Sequence, residues 1–356
     1  MRFTYVGPIP PFRGGISQHG ARLVGALRTA GHDVDVHSWA AQYPRLFYPG
    51  DPYATGASAF PGARFDLRWW SPVSWVRAGR VARASDALIL QWVTPFQALA
   101  YRTLLAASNG TPAVAIVHNP TPHEERAVDE RLTRLALSRV RGALAPPGSS
   151  SDELRRLLPG VPVVPASIPP LIELEAAPLP PGPPWKLLFF GFVRPYKGLE
   201  VALEAVAELT RRGRPVELTV AGLFWGPVEP WRERLRGLGL EERVSLQAGY
   251  VPDEDVQKLI AAHHVLIAPY RSAPQSAIVP LASVVGRPVV ATQVGGLAEQ
   301  VTEGVNGALA PVDDATAFAA AIERVLADLD ELSRNAVKVT PTWDHVVDAI
   351  VGLLKR

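Results

Sequence analysis

Apolar residues fall in short unbroken runs, separated by stretches in which they recur every three to four positions. The runs predict buried strands of a parallel sheet, and the periodic stretches predict amphipathic helices packed on it. In the first half, runs at 3–6, 34–36, 87–92, 113–117 and 142–145 read as strands, with helices at about 16–30 and 152–158. In the second half the alternation restarts with runs at 185–190, 218–221, 244–248, 265–268 and 289–291. Leu199, Ala202, Leu203, Val206 and Leu209 mark a helix at 199–209. Between the halves, 169–184 holds Pro169, Pro170, Pro178, Pro180, Pro181, Pro183 and Pro184, a density that stiffens a connection rather than forming an element. The pattern predicts an α/β protein of two doubly wound parallel-sheet domains with right-handed crossovers. They are expected at 1–168 and 185–340, with a Pro-rich hinge at 169–184 and a cleft between their carboxyl edges.

Candidate chemistry gathers in the loops that follow the strands, where open α/β sheets bind ligands. Gly191-Phe192-Val193-Arg194-Pro195-Tyr196-Lys197-Gly198 joins a buried strand to a helix start and brings Arg194 and Lys197 to a helix end that favours anions. Two readings stand: solvated surface charges, or cations for a diphosphate. Only five of the 36 Lys and Arg are Lys, which makes a Lys in a glycine-bounded loop the more suggestive. Gly14 and Gly15 close a Pro-rich loop before the first helix, where the backbone can approach a ligand and Ser17 can cap the helix. His118 follows the run at 113–117, with His123 and Glu124 close behind, and Gln91 and Trp92 end the run at 87–92. These four residues besides His118 are candidates for acceptor contact. The stretch 40–64 reads as a long functional loop. In 65–83, Trp69, Trp70 and Trp75 alternate with Arg68, Arg77, Arg80 and Arg83, fitting either a membrane or acceptor surface or a helix with its Trp side inward.

Composition narrows the classes. A net charge of +2 without a long basic run argues against nucleic-acid binding, and the absence of Cys excludes thiolate chemistry and cysteine-bound metal. No signal peptide or transmembrane run is expected, and a cytoplasmic protein is, with peripheral contact at the inner face of the membrane as an option.

With these residues placed, nearly the whole chain resembles the retaining nucleotide-sugar glycosyltransferases of the family 4 type, which have the two-Rossmann GT-B fold. The markers are Gly14-Gly15, His118-Asn119 through Pro122-His123-Glu124, Gly191-Phe192-Val193-Arg194 with Lys197-Gly198, and Gly286-Arg287-Pro288-Val289-Val290-Ala291-Thr292 with Gly295-Gly296 and Glu299. The resemblance implies that Arg194 and Lys197 hold the donor diphosphate, that the first glycine loop lies beside the phosphates and that His118 lies near the donor sugar. It also implies that a last helix, at 341–356, packs back on the first domain. One departure stands out. The family's E-x7-E glutamates correspond to Ala273 and Leu281. In a subset of the family with a Ser/Gln segment here, Gln275, Ser276 and the backbone amides of Ala277 and Ile278 would hold the phosphates and sugar; Gly191 is also expected at the donor. The expected reaction is metal-independent sugar transfer from a nucleotide diphosphate sugar to a glycan, lipid-linked or small-molecule hydroxyl, without cofactor. A non-catalytic nucleotide- or glycan-binding partner subunit is the alternative.

Overall fold

The computed structural model describes residues 1–42, 53, 58–120, 128–273 and 276–355. The chain divides into two compact units, Met1–Ser167 with Thr342–Arg356, and Ile168–Pro341.

Unit 1 runs β1 (Arg2–Val6), α1 (Gly15–Thr29), β2 (Asp33–Ala41), β3 (Ala63–Arg68), α2 (Pro72–Ala82), β4 (Ala87–Trp92), α3 (Ala98–Ala107), β5 (Ala113–Val117), α4 (Asp129–Leu137), β6 (Gly142–Ala145), α5 (Ser149–Leu157) and β7 (Val163–Pro165). The strands form one parallel sheet in the order β3-β2-β1-β4-β5-β6-β7. Every residue of β4, β5 and β6 is buried, as their unbroken apolar runs require of strands covered on both faces. Chain order reverses between β1 and β4, so the loops leaving these neighbours diverge and open a crevice at the carboxyl edge.

Unit 2 runs β8 (Trp185–Phe190), α6 (Leu199–Arg211), β9 (Val216–Gly222), α7 (Glu229–Leu238), β10 (Val244–Ala248), α8 (Asp253–Ala261), β11 (Val265–Ala268), α9 (Ile278–Val285), β12 (Val289–Thr292), α10 (Leu297–Gln300), β13 (Gly307–Ala310), α11 (Ala315–Ala327) and α12 (Leu329–Lys338). Its parallel sheet has the order β10-β9-β8-β11-β12-β13, with the reversal between β8 and β11. The last helix, α13 (Trp343–Lys355), belongs to unit 1 and buries Val346, Val347, Ile350 and Leu353 in the core built on α1, β1 and β5.

The structure departs from the sequence expectations in several places. Residues 65–68 belong to edge strand β3, and the helix begins only at Pro72, where the Ser71 side chain accepts from the Ser74 amide. Ser17 does not cap α1: the helix starts at Gly15 behind Gly14, and Ser17 lies buried in its first turns. Helix α5 begins at Ser149, three residues early. The Pro-rich stretch does not stand free. Ile172, Leu174 and Ala177 pack on the core of unit 2, and the fully buried Arg287 donates to the carbonyls of Ala177 and Pro178 as well as those of Ala261, His263 and Val285. Burial pushes the Arg287 guanidinium down to about 10.

Candidate functional site

In unit 2, polar groups converge at the carboxyl ends of β8 and β11, the two strands that flank the reversal. Gly191 leaves β8 with φ 108°, and Lys197 Nζ folds back over it, 3.2 Å from where a Cβ would stand. A side chain at 191 would crowd the ammonium and would be strained at this φ. Lys197 is only 8% exposed, and its Nζ donates to the hydroxyl of Tyr270, just past β11, at 3.0 Å. No carboxylate pairs with it among the described residues. Burial pushes its pKa down, with Arg194 adding to the shift. An ammonium kept in such surroundings without a counter-ion is poised for an anion. Burial also pushes the Tyr270 hydroxyl up to about 12, so it remains a neutral phenol, and the Ser276 side chain hydrogen-bonds to it. Gln300 clamps the Ser276 backbone from both sides, accepting from its amide at 2.9 Å and donating to its carbonyl at 3.0 Å. The loop is carried onto α6 by Gly198, whose φ of 68° and lack of a Cβ let it approach the Pro269 carbonyl; a Cβ there would come within 2.0 Å.

In unit 1, a buried polar network lies at the β1–β4 reversal. Gln91, fully buried at the end of β4, donates through Nε2 to the Ile16 carbonyl at 2.8 Å and to His118 Nε2 at 3.1 Å. Its Oε1 meets the Tyr5 hydroxyl, which also faces the Pro8 carbonyl at 3.1 Å. An amide nitrogen can only donate, so His118 Nε2 accepts and its proton sits on Nδ1. Burial pushes His118 down to about 4, which keeps the imidazole neutral at physiological pH. His19 on α1 packs edge-on to His118, ring centroids 4.5 Å apart, and to Trp343 of α13 at 5.0 Å. Burial, reinforced by His118, holds His19 well below the usual imidazole range. Gly14 and Gly15 are exposed, and Gly14 at the N-cap makes no side-chain hydrogen bond to the first turn of α1.

The structure thus brings Arg194, Lys197, Gly191 and Ser276 to one sheet edge, and Gly14, Gly15, Gln91 and His118 to the other unit's edge. Ala277 is exposed just ahead of α9, and Ile278, its first residue, is buried. Gln275, His123 and Glu124 lie outside the described residues. Two residues expected at the acceptor lie inside unit 1. Trp92 is buried in the core beside Tyr101 and presents no face to a ligand. Gln91 is enclosed as well, with its Nε2 hydrogen-bonded to His118. Ala273 and Leu281, at the positions of the family's glutamates, pack in the apolar cluster around α9. Among the described residues no group of three His, Asp or Glu could hold a metal ion, and no helix is long and apolar enough to cross a membrane. Sequence reasoning missed Tyr270 and His19. The only signal for Tyr270 is its place directly after a buried strand, and His19 carries none, since its neighbours come from β5 and α13.

Residues 13–175 match the model of Glycosyltransferase Family 4, and residues 184–328 match that of Glycosyl transferases group 1. Each half thus matches a glycosyltransferase domain model. Among relatives of these domains, an alpha-D-kanosaminyltransferase of Streptomyces kanamyceticus is 32% identical over 156 residues, 44% of this chain and 40% of that protein. The match thus spans less than half of that relative's length. A phosphatidyl-myo-inositol mannosyltransferase of Mycolicibacterium smegmatis is 28% identical over 93% of this chain and 87% of its own. In fold, the chain resembles Anabaena Alr3699/HepE, solved with UDP and glucose, at a TM-score of 0.66 and 16% identity over 100% of this chain and 99% of the other. The fold is GT-B.

Proposed function

We propose that the protein transfers a sugar from a nucleotide diphosphate sugar to an acceptor hydroxyl, with retention at the anomeric carbon and no metal ion. The observation that carries this reading is Lys197, a buried ammonium whose hydrogen-bond partner is a neutral phenol, set beside Arg194 where the sheet order reverses. Two cations without carboxylate partners among the described residues suit a departing diphosphate, and stabilising that charge is most of what such a reaction asks of a protein. The bond from the sugar C1 to the diphosphate oxygen breaks and the diphosphate leaves with the electron pair. The acceptor oxygen bonds C1 on the same face, and its proton passes to the leaving phosphate oxygen. The exposed start of α1 at Gly15 favours anions, and the Nδ1–H of neutral His118 is a donor suited to a sugar hydroxyl. Gly191, Gln275, Ser276, Ala277 and Ile278 are assigned to the donor, and His123 and Glu124 to the acceptor. The UDP and glucose bound by the Anabaena protein support a nucleotide-sugar donor, and the mannosyltransferase of M. smegmatis supports a lipid-linked acceptor.

The test is a thermal-shift and turnover screen with UDP-, GDP-, ADP- and dTDP-sugars in chelator, on the wild type, Arg194→Ala and Lys197→Met. One donor is expected to stabilise the wild type and be consumed. Each variant is expected to lose turnover on the order of 10²–10³-fold, and Arg194→Ala, altering an exposed side chain, should leave the melting temperature unchanged. Turnover surviving both substitutions would sink the assignment. Stabilisation by nucleotide without turnover would favour a partner subunit, consistent with Ala273 and Leu281 standing where glutamates are expected.

For the acceptor side we propose contact with an anionic lipid surface through α2. The stretch 67–85 contains no acidic residue. Trp70 (53%) and Val73 (78%) are exposed beside Arg68, Arg77, Arg80 and Arg83, while Trp75 turns inward and donates its indole N–H to the Arg68 carbonyl at 2.8 Å.

A further inference from the structure

Arg194 is held by rings. Its guanidinium carbon stands 4.5 Å from the centroid of Trp225 and 5.8 Å from that of Phe192, and no carboxylate pairs with it among the described residues. Trp225 is 72% exposed and Phe192 54% exposed, so neither ring is there to fill a core. The backbone explains how Trp225 arrives. The loops leaving β8 and β9 continue the parallel pairing past the strand ends: Gly191 N–H donates to the Ala221 carbonyl at 2.9 Å, Val193 N–H to Leu223 at 2.8 Å, and Trp225 N–H to Val193 at 2.9 Å. Val193 bridges Phe224, which places Arg194 next in register with Trp225. Close approach of the two loops depends on Gly222, where φ is 141° and a Cβ would stand 1.9 Å from the Gly191 carbonyl.

We infer that Trp225 is a positioning residue for Arg194, fixing the guanidinium over its ring face while leaving the N–H donors free for the donor diphosphate. This rests on the reading of Arg194 given above. A carboxylate in place of the ring would hold the guanidinium as well, but it would occupy those donors and cancel the charge. A ring attracts the cation through its quadrupole and takes up none of its hydrogen-bonding capacity.

The test uses the full chain with Trp225→Phe, Trp225→Ala, Trp225→Glu and Arg194→Ala. In the wild type the Arg194 Nε–H resonance, assigned by its loss in Arg194→Ala, is expected upfield of an exposed arginine through the indole ring current. It should return to the exposed position in Trp225→Ala and stay shifted in Trp225→Phe. Affinities are read for UDP and GDP, with uridine and guanosine as uncharged controls. Trp225→Ala is expected to weaken binding of the preferred diphosphate roughly five- to tenfold and leave its nucleoside unaffected. Trp225→Phe should restore most of the loss, Trp225→Glu should bind worse than Trp225→Ala, and melting temperatures should not move. Equal loss for nucleoside and diphosphate would overturn the inference by making Trp225 a platform for the base. So would unchanged diphosphate affinity in Trp225→Ala when Arg194→Ala loses it. If Arg194→Ala also binds unchanged, the diphosphate assignment itself fails and this inference with it.

Discussion

The Gln91 amide ties three parts of unit 1 together, the Ile16 carbonyl on α1, the Tyr5 hydroxyl on β1 and the imidazole after β5. Its electrostatic consequence can be measured. His118 titrates at about 4 in the folded chain against 6.5 when exposed, and His19 is displaced in the same direction. Between those values the unfolded chain binds protons that the folded chain refuses. The stability contributed by these neutral imidazoles is therefore complete above about pH 7 and lost as pH falls from 6.5 toward 4. Each proton contributes a slope of about 1.4 kcal/mol per pH unit. Urea midpoints at pH 7.5, 6 and 5 should decline for the wild type, and His118→Asn should decline less steeply. Equal slopes would show that His118 is not held neutral.

At the level of elements, α2 presents Val73, Arg77 and Arg80 on one side, with exposed Trp70 just ahead of it, and packs Trp75 and Ala78 on the other. The full chain should sediment with phosphatidylglycerol vesicles at low salt and be released by high salt, because exposed arginines act through a screened field. It should not sediment with pure phosphatidylcholine, and the double variant Arg77→Glu/Arg80→Glu should abolish binding to phosphatidylglycerol. Equal binding to neutral vesicles, or none to either, would dismiss the lipid reading. Which elements the sequence reveals follows from burial. Strands such as β4, β5 and β11 are covered on both faces and appear as uninterrupted apolar runs. Strands β3, β7 and β13 are missed because they stand at or near sheet edges and are short or weakly apolar. In β13, Gly307 is required because a Cβ would come within 1.9 Å of the Val289 carbonyl, and a glycine reads as a break. Among site residues, Arg194 and Lys197 announce themselves by sharing one glycine-bounded loop. Tyr270, His19 and Trp225 reach their partners through strand order and register, which no spacing along the chain encodes.

At the scale of the molecule, unit 1 is built from two distant pieces of chain, and the fifteen residues from Thr342 to Arg356 complete it. Leu353 packs so closely over Gly142 in β6 that a Cβ there would stand 2.6 Å from it. A chain ending at Pro341 should lose the cover over β5 and β6 and the Trp343 contact to His19. Calorimetry with limited proteolysis should then show unit 1 melting lower and cleaved earlier, with unit 2 unchanged; two unaltered transitions would show that α13 contributes nothing. The same discontinuity sets an order of events on the ribosome. Residues 168–341 emerge, and can close their own sheet, while the earlier-made half still waits with an apolar face open. That half cannot be sealed until residues 342–356 are made, so a stop before codon 342 would release a chain whose later-made unit is sound and whose earlier-made unit is not.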